Sequence, residues 1–138
     1  KVEKGLATPG VEEKDDEDER ELQAGEASRY RSLVARANYL ATDRPDISFS
    51  VKELCRSMSK PTTSSWTKLL RVVKYLQRNP RLVLRYDHQD EVSELDIYSD
   101  ANWGGCKATR RSTSGGVILR GKHLLKSWSK NQNVIALS

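Results

Sequence analysis

The feature that most constrains this chain is a change of hydrophobic period at Asn79-Pro80. Before it, apolar residues recur as they do on helices; after it, they alternate as they do on strands. From Ser28 onward, Tyr30, Leu33, Val34, Ala37, Leu40 and Ala41 share one helical face, with Arg29, Arg31 and Arg36 largely off it. Asp43-Arg44-Pro45 interrupts that stripe. Pro45 suits the first position of a second helix, where a missing N–H costs nothing, and Asp46 favours the positive end of its dipole. Ile47, Val51, Leu54, Cys55 and Met58 form the second stripe, stopped by Lys60-Pro61. Thr62, Thr63 or Ser64 can cap a third helix whose stripe is Trp66, Leu69, Leu70, Val73 and Leu76. These spacings predict a three-helix subdomain over residues 28–80.

Four short strands are expected after Pro80. Leu82-Val83-Leu84 with Tyr86 is the first, and the alternation from Leu95 to Asp100 is the second. Gly116–Leu119 and Leu124–Trp128 follow, joined by Gly121-Lys122 as a hairpin turn. The chain then stops at Ser138 inside an apolar run, so the last element is expected to be cut short. The fold class expected is α+β.

Charge is divided unevenly. Residues 1–27 hold ten acids against four bases, and residues 28–138 hold 20 bases against nine acids, a net of +11. The acidic head has few large apolar residues to offset its ordering entropy, so residues 1–27 are expected to be a disordered linker, with a regulatory acidic tail as the alternative. The basic body suits a phosphate-rich partner, or is a solvated surface. Lys52, Arg56, Lys68, Arg71, Lys74 and Arg78 either line a nucleic-acid track or form an ordinary wet face. Cys55 and Cys106 show no disulfide framework, which favours a reducing compartment, and His88 and His123 lack zinc-ligand spacing. No apolar run is long enough to span a membrane and no signal-peptide pattern opens the chain, so an intracellular location is expected. Lys1 in place of a methionine implies a stretch of a longer polypeptide.

Chemistry concentrates between Tyr98 and Gly116. Asp96 and Asp100 share strand parity, but four residues of strand separate their Cα atoms by about 13 Å, too far to share one ion directly. Asp100 stands at the strand's C-terminal end beside the small residues Ser99 and Ala101, so it is the better candidate metal ligand; a structural or merely exposed aspartate is the alternative. A basic loop follows, with Lys107, Arg110 and Arg111. Glycine-rich phosphate loops and nucleophile elbows are absent, and Trp66, Trp103 and Trp128 are read as core rather than as stacking platforms.

The wording from Ser28 to Ser138 is more specific than its composition. YRSLVARANYLATDRPDISFSVKELCRSMSKPT, LDIYSDANWGG, RRSTSGGVILRG and SWSKNQNVIALS together resemble the Pol polyprotein of copia-type LTR retrotransposons. TPG at positions 8–10 resembles the end of its reverse transcriptase region. The resemblance implies a helical connection subdomain over 28–80 and, over 81–138, the first strands of a ribonuclease H-like mixed sheet, truncated at its C-terminus. It implies an RNA–DNA hybrid or single-stranded nucleic acid as partner, together with the remainder of the polyprotein, in a cytoplasmic particle or the nucleus.

In that family YSDADWAG supplies the first catalytic carboxylate, which matches Asp100 here, while Asn102 replaces a second aspartate. The RKSTSG loop matches Arg111, Ser112 and Thr113, which the resemblance assigns to hybrid contact or loop shaping. The parent would be a reverse transcriptase and hybrid-specific endonuclease holding two magnesium ions. Its next acid follows ALS closely, and this chain ends at ALS, so the fragment alone is expected to hold no ion pair of metals and to be inactive. The rival reading is a degenerate or domesticated remnant that binds nucleic acid or protein without catalysis.

Overall fold

The computed structural model describes residues 7–10, 19–105 and 109–135. Three helices, α1 (Ala24–Leu40), α2 (Pro45–Arg56) and α3 (Thr63–Arg78), precede three strands, β1 (Asp96–Asn102), β2 (Arg111–Arg120) and β3 (His123–Ile135). The class is therefore α+β. Internal contacts divide the chain after Leu82 into two units.

The helical unit is built on the stripes. Tyr30 and Val34 of α1, Ile47, Val51 and Leu54 of α2, and Leu69 and Val72 of α3 form one buried cluster. Burying Tyr30 would strand its hydroxyl, but that hydroxyl donates to the Leu54 carbonyl at 2.8 Å. Burial pushes its pKa up to about 12. Pro45 is the first residue of α2. Thr62 caps α3, its hydroxyl accepting from the Ser65 N–H at 3.3 Å while Ser65 Oγ accepts from the Thr62 N–H at 2.7 Å.

Helix α1 starts at Ala24, six residues before Tyr30 opens its apolar stripe, where the sequence suggested linker through residue 27. The cause is non-local. Glu21 bridges to Thr62, Leu22 N–H donates to the Pro61 carbonyl at 2.9 Å, and Thr63 N–H donates to the Arg20 carbonyl at 2.9 Å. Lys60 pairs with Glu21, and the Glu26 carboxylate accepts from the Gln23 N–H at 3.2 Å at the helix start. The end of the acidic run thus holds α1 and α3 together. The rest of the expected linker, apart from Ala7–Gly10, lies outside the described residues.

A second tie joins the start of α2 to the end of α3. Arg44, only 6% exposed, grips both oxygens of Asp46 at 3.0 and 2.8 Å and donates to the Asn79 carbonyl at 2.9 Å. Tyr75 donates to the same carboxylate at 2.9 Å. The Arg44 hydrogen bonds hold the Asp46 carboxyl below the usual carboxylate range. A depressed folded-state pKa adds stability that is complete above the unfolded value, about 3.9, and is lost as pH falls through the folded value. Acid titration of helical circular dichroism should therefore show destabilisation setting in below about pH 4, and Asp46→Asn should flatten it while costing about 1–2 kcal/mol at neutral pH. An unchanged acid limb in the variant would remove Asp46 from that role.

The strands form one antiparallel sheet in the order β1-β2-β3. Gly121-Lys122 makes the β2–β3 turn: Arg120 pairs with His123, and Gly121 has φ 57°. A side chain there would also strike the Gln89 amide, whose oxygen accepts from the Lys122 N–H at 3.0 Å and whose nitrogen donates to the Arg120 carbonyl at 2.9 Å. The strand expected at Leu82–Tyr86 does not form, and Val83 is 80% exposed. Its short apolar run has the right propensity, but it reaches no strand edge to pair with. Residues 86–92 instead strap the turn by side chains, with Tyr86 Oη donating to the Leu124 carbonyl at 2.7 Å and Arg120 Nε to the Val92 carbonyl at 2.8 Å.

β2 and β3 run longer than expected, because ladder pairing continues through the polar residues Arg111–Ser114 and Ser129–Gln132. Among the described residues this unit buries no apolar side chain, and Ile97, Tyr98 and Trp103 are 63%, 60% and 72% exposed. Trp103 is therefore not core. Cys55 is a free thiol whose pKa burial raises, and Cys106 lies outside the described residues. No helix among the described residues is long and apolar enough to cross a membrane.

Candidate metal and nucleic-acid site

Strand alternation places Asp96, Tyr98, Asp100 and Asn102 on one face of β1 and Ile97, Ser99 and Ala101 on the other. The ladder extends these into rows across the sheet. Asp100 lies opposite Gly115, which lies opposite Ser129; Asn102 lies opposite Thr113, which lies opposite Asn131. Asp100 is exposed, and its cross-strand neighbour has no side chain, so one flank of the carboxylate is open. Among the described residues it makes no hydrogen bond or ion pair.

The other candidates divide. Thr113 shares the Asp100 face, diagonal to it at roughly 7–8 Å between Cα atoms, and its hydroxyl donates to Asn131 Oδ1 at 3.2 Å. Ser112 is 2% exposed and turned inward, its Oγ accepting from the Gly104 N–H at 3.0 Å. That bond ties the Trp103-Gly104 turn to the start of β2, which is loop shaping rather than ligand contact. Arg110 and Arg111 are exposed, and Arg110 has φ 54°, a left-handed conformation that costs a side-chain-bearing residue roughly 1 kcal/mol or more. Lys107 lies outside the described residues. Asn102 folds against Gly105, where an added Cβ would meet its amide nitrogen at 2.4 Å.

Magnesium keeps most of its waters and binds through one or two carboxylates with room around them. Asp100 fits one such ligand position. It does not complete a site, because no group of three or more potential ligands occurs among the described residues. The cations of the helical unit are partly spoken for: Lys52 and Arg56 pair with Glu53, and Arg71 donates to the Thr8 carbonyl and hydroxyl at 3.2 Å each. Lys74 and Arg78 stay on the exposed side of α3. The strand expected at 124–128 forms as the first half of β3, but the row that Lys126, Trp128 and Lys130 make on its alternate positions was not picked out. Their period of two was legible, but Trp128 was read as core.

An uncharacterized mitochondrial protein of Arabidopsis thaliana is 36% identical to this chain over 112 residues, 80% of the chain and 46% of that protein. The retrovirus-related Pol polyprotein from transposon RE2 of the same plant is 35% identical over 111 residues, 80% of the chain and 8% of the polyprotein. The chain belongs to the copia-type retrotransposon Pol polyproteins. It spans less than half of the mitochondrial relative and a small part of the transposon polyprotein. A secreted RxLR effector protein of Plasmopara viticola is 36% identical over 110 residues, 79% of the chain and 77% of that protein. No family model matches the chain, and no solved structure does.

Asp100, without a partner among the described residues and two residues before the end of β1, has no local explanation in folding.

Proposed function

We propose that this chain is the junction of a helical connection and the opening strands of a ribonuclease H domain, and that Asp100 is the first metal ligand of a site that cuts RNA in RNA–DNA hybrids. The observation that carries the reading is the open flank of Asp100 opposite Gly115, on the same sheet face as Thr113. Magnesium would supply an activated water and neutralise charge developing on the phosphate. Asp100 would hold that ion, Arg110 and Arg111 would meet the phosphate backbone at the rim, and Ser112 would keep the loop in place. Further carboxylates must converge on the same face, and Tyr98, Val117 and Leu119 on that face are apolar enough to dock the layer that brings them. The remainder of the polyprotein is the partner that supplies both.

The test is cleavage of a labelled RNA–DNA hybrid in magnesium by a polypeptide extended past Ser138 through the rest of the domain. Cleavage of the RNA strand alone supports the reading. Hybrid binding without cleavage would favour the remnant that binds nucleic acid and does no chemistry.

A further inference from the structure

The two faces of the sheet differ in charge: the carboxylates of β1 share one face with Arg111, and the other face carries none. Asp96 and Asp100 are on one; the other, through the continuous ladder from 113–118 to 126–131, carries Lys126 and Lys130 on β3 and no carboxylate. Its rows run Ile97–Ile118–Lys126, Ser99–Gly116–Trp128 and Ala101–Ser114–Lys130. Gln132 confirms the side, since its amide donates to Ser114 Oγ at 2.7 Å. Trp128 lies over Gly116, where an added Cβ would meet ring atoms at 2.2, 2.4 and 2.8 Å. The indole is thus laid on the sheet rather than standing off it, and it is half-buried. Ser99, Ala101 and Ser114 around it are small, so the floor beside the ring is shallow and open. Lys126 and Lys130 are exposed and make no ion pair among the described residues.

We propose that this face, opposite Asp100, is a platform for single-stranded nucleic acid: a base stacks on Trp128 and the flanking phosphates meet Lys126 and Lys130. Each lysine is two residues from the tryptophan, roughly 7 Å along the strand, so an extended backbone can reach both while one base lies on the ring. A flat aromatic between cations on a sheet is the arrangement that holds single strands with little sequence preference. A polyanion is the occupant selected here because the face offers two unpaired positive charges and no negative one. A purely apolar partner would leave both ammonium groups without a role. The proposal stands apart from hybrid cleavage, since Asp100 points the other way.

The probe is a fluorescein-labelled 15-nucleotide oligo(dT), titrated by anisotropy against the full chain over a range of salt. Lys126→Glu/Lys130→Glu, both exposed positions, should weaken binding at least tenfold at low salt and flatten the plot of log affinity against log salt by about 1.4, for two lost phosphate contacts. Trp128→Leu should weaken it roughly 5- to 150-fold, and Trp128→Phe, which keeps a ring and guards against misfolding, by less. Lys122→Glu makes half that charge change in the β2–β3 turn and should leave the slope nearly unchanged; Asp100→Asn should not weaken binding. Equal losses for Lys122→Glu and the Lys126/Lys130 pair, or no loss in either lysine or tryptophan variants, would overturn the platform. Loss of hybrid cleavage without loss of oligo(dT) binding would leave it intact.

Discussion

In the extended polypeptide, Asp100→Asn is expected to lower the rate of hybrid cleavage by roughly 10³-fold, the loss of about 4 kcal/mol of charge stabilisation at the reacting phosphate. The substitution keeps size and shape, so the fold should not respond: Asp100 is exposed, has no partner among the described residues, and faces a glycine across the ladder. Hybrid affinity should stay within about twofold, because removing one negative charge slightly eases phosphate approach while no contact is lost. The pattern that identifies a metal ligand is therefore a collapse in rate without a collapse in binding. The 138-residue chain itself should show no cleavage, since Asp96 lies about 13 Å along the strand and cannot join Asp100 on one ion. Cleavage by the short chain, or by the asparagine variant at near the parental rate, would contradict the assignment.

The largest effect on stability is expected in the other unit. Leu69 is 1% exposed and sits in the cluster that joins all three helices. Leu69→Ala should cost about 2–5 kcal/mol, from lost transfer energy and the cavity left behind. For a unit this small, that lowers the midpoint of helical melting by roughly 10 °C or more. Ile97→Ala on β1, a 63% exposed position, should change stability by no more than about 0.5 kcal/mol. Thermal melts followed by helical circular dichroism check both, and comparable losses at Leu69 and Ile97 would mean that the sheet carries a core of its own.

The helical half was legible because its signals are local. Pro45 at the first turn of α2, Thr62 as a cap and Asn79-Pro80 as a stop each act within a few residues of the boundary they set. The start of α1 was not legible. Ala24–Ala27 become helical with the help of a bridge from Glu21 to Thr62, far along the chain, and no periodicity announces such a contact. Strand existence was readable from alternation, but strand length was not, since it depends on where a partner continues the ladder. Leu82–Tyr86 has strand propensity and no partner, whereas Thr113 and Ser114 are polar and have two.

The site follows the same division. Parity alone put Asp100 and Asp96 on one face, and that holds across the sheet. What parity could not give was Gly115 opposite the carboxylate, or the inward turn of Ser112 onto the Gly104 N–H. Trp128 failed for a related reason. A tryptophan in a strand is usually covered, but here the residue across from it is a glycine, and the ring lies on the sheet.

Asp100 as a divalent-ion ligand is tested most directly by paramagnetic broadening. Manganese, which takes oxygen ligands as magnesium does, is titrated into the isotope-labelled extended polypeptide while backbone amide signals are followed. The amides of Asp100, Ala101 and Gly115 should broaden first, at substoichiometric manganese, and excess magnesium should restore them. In Asp100→Asn that selective broadening should vanish while the remaining signals keep their positions. Broadening centred elsewhere, or unchanged in the variant, would contradict the account.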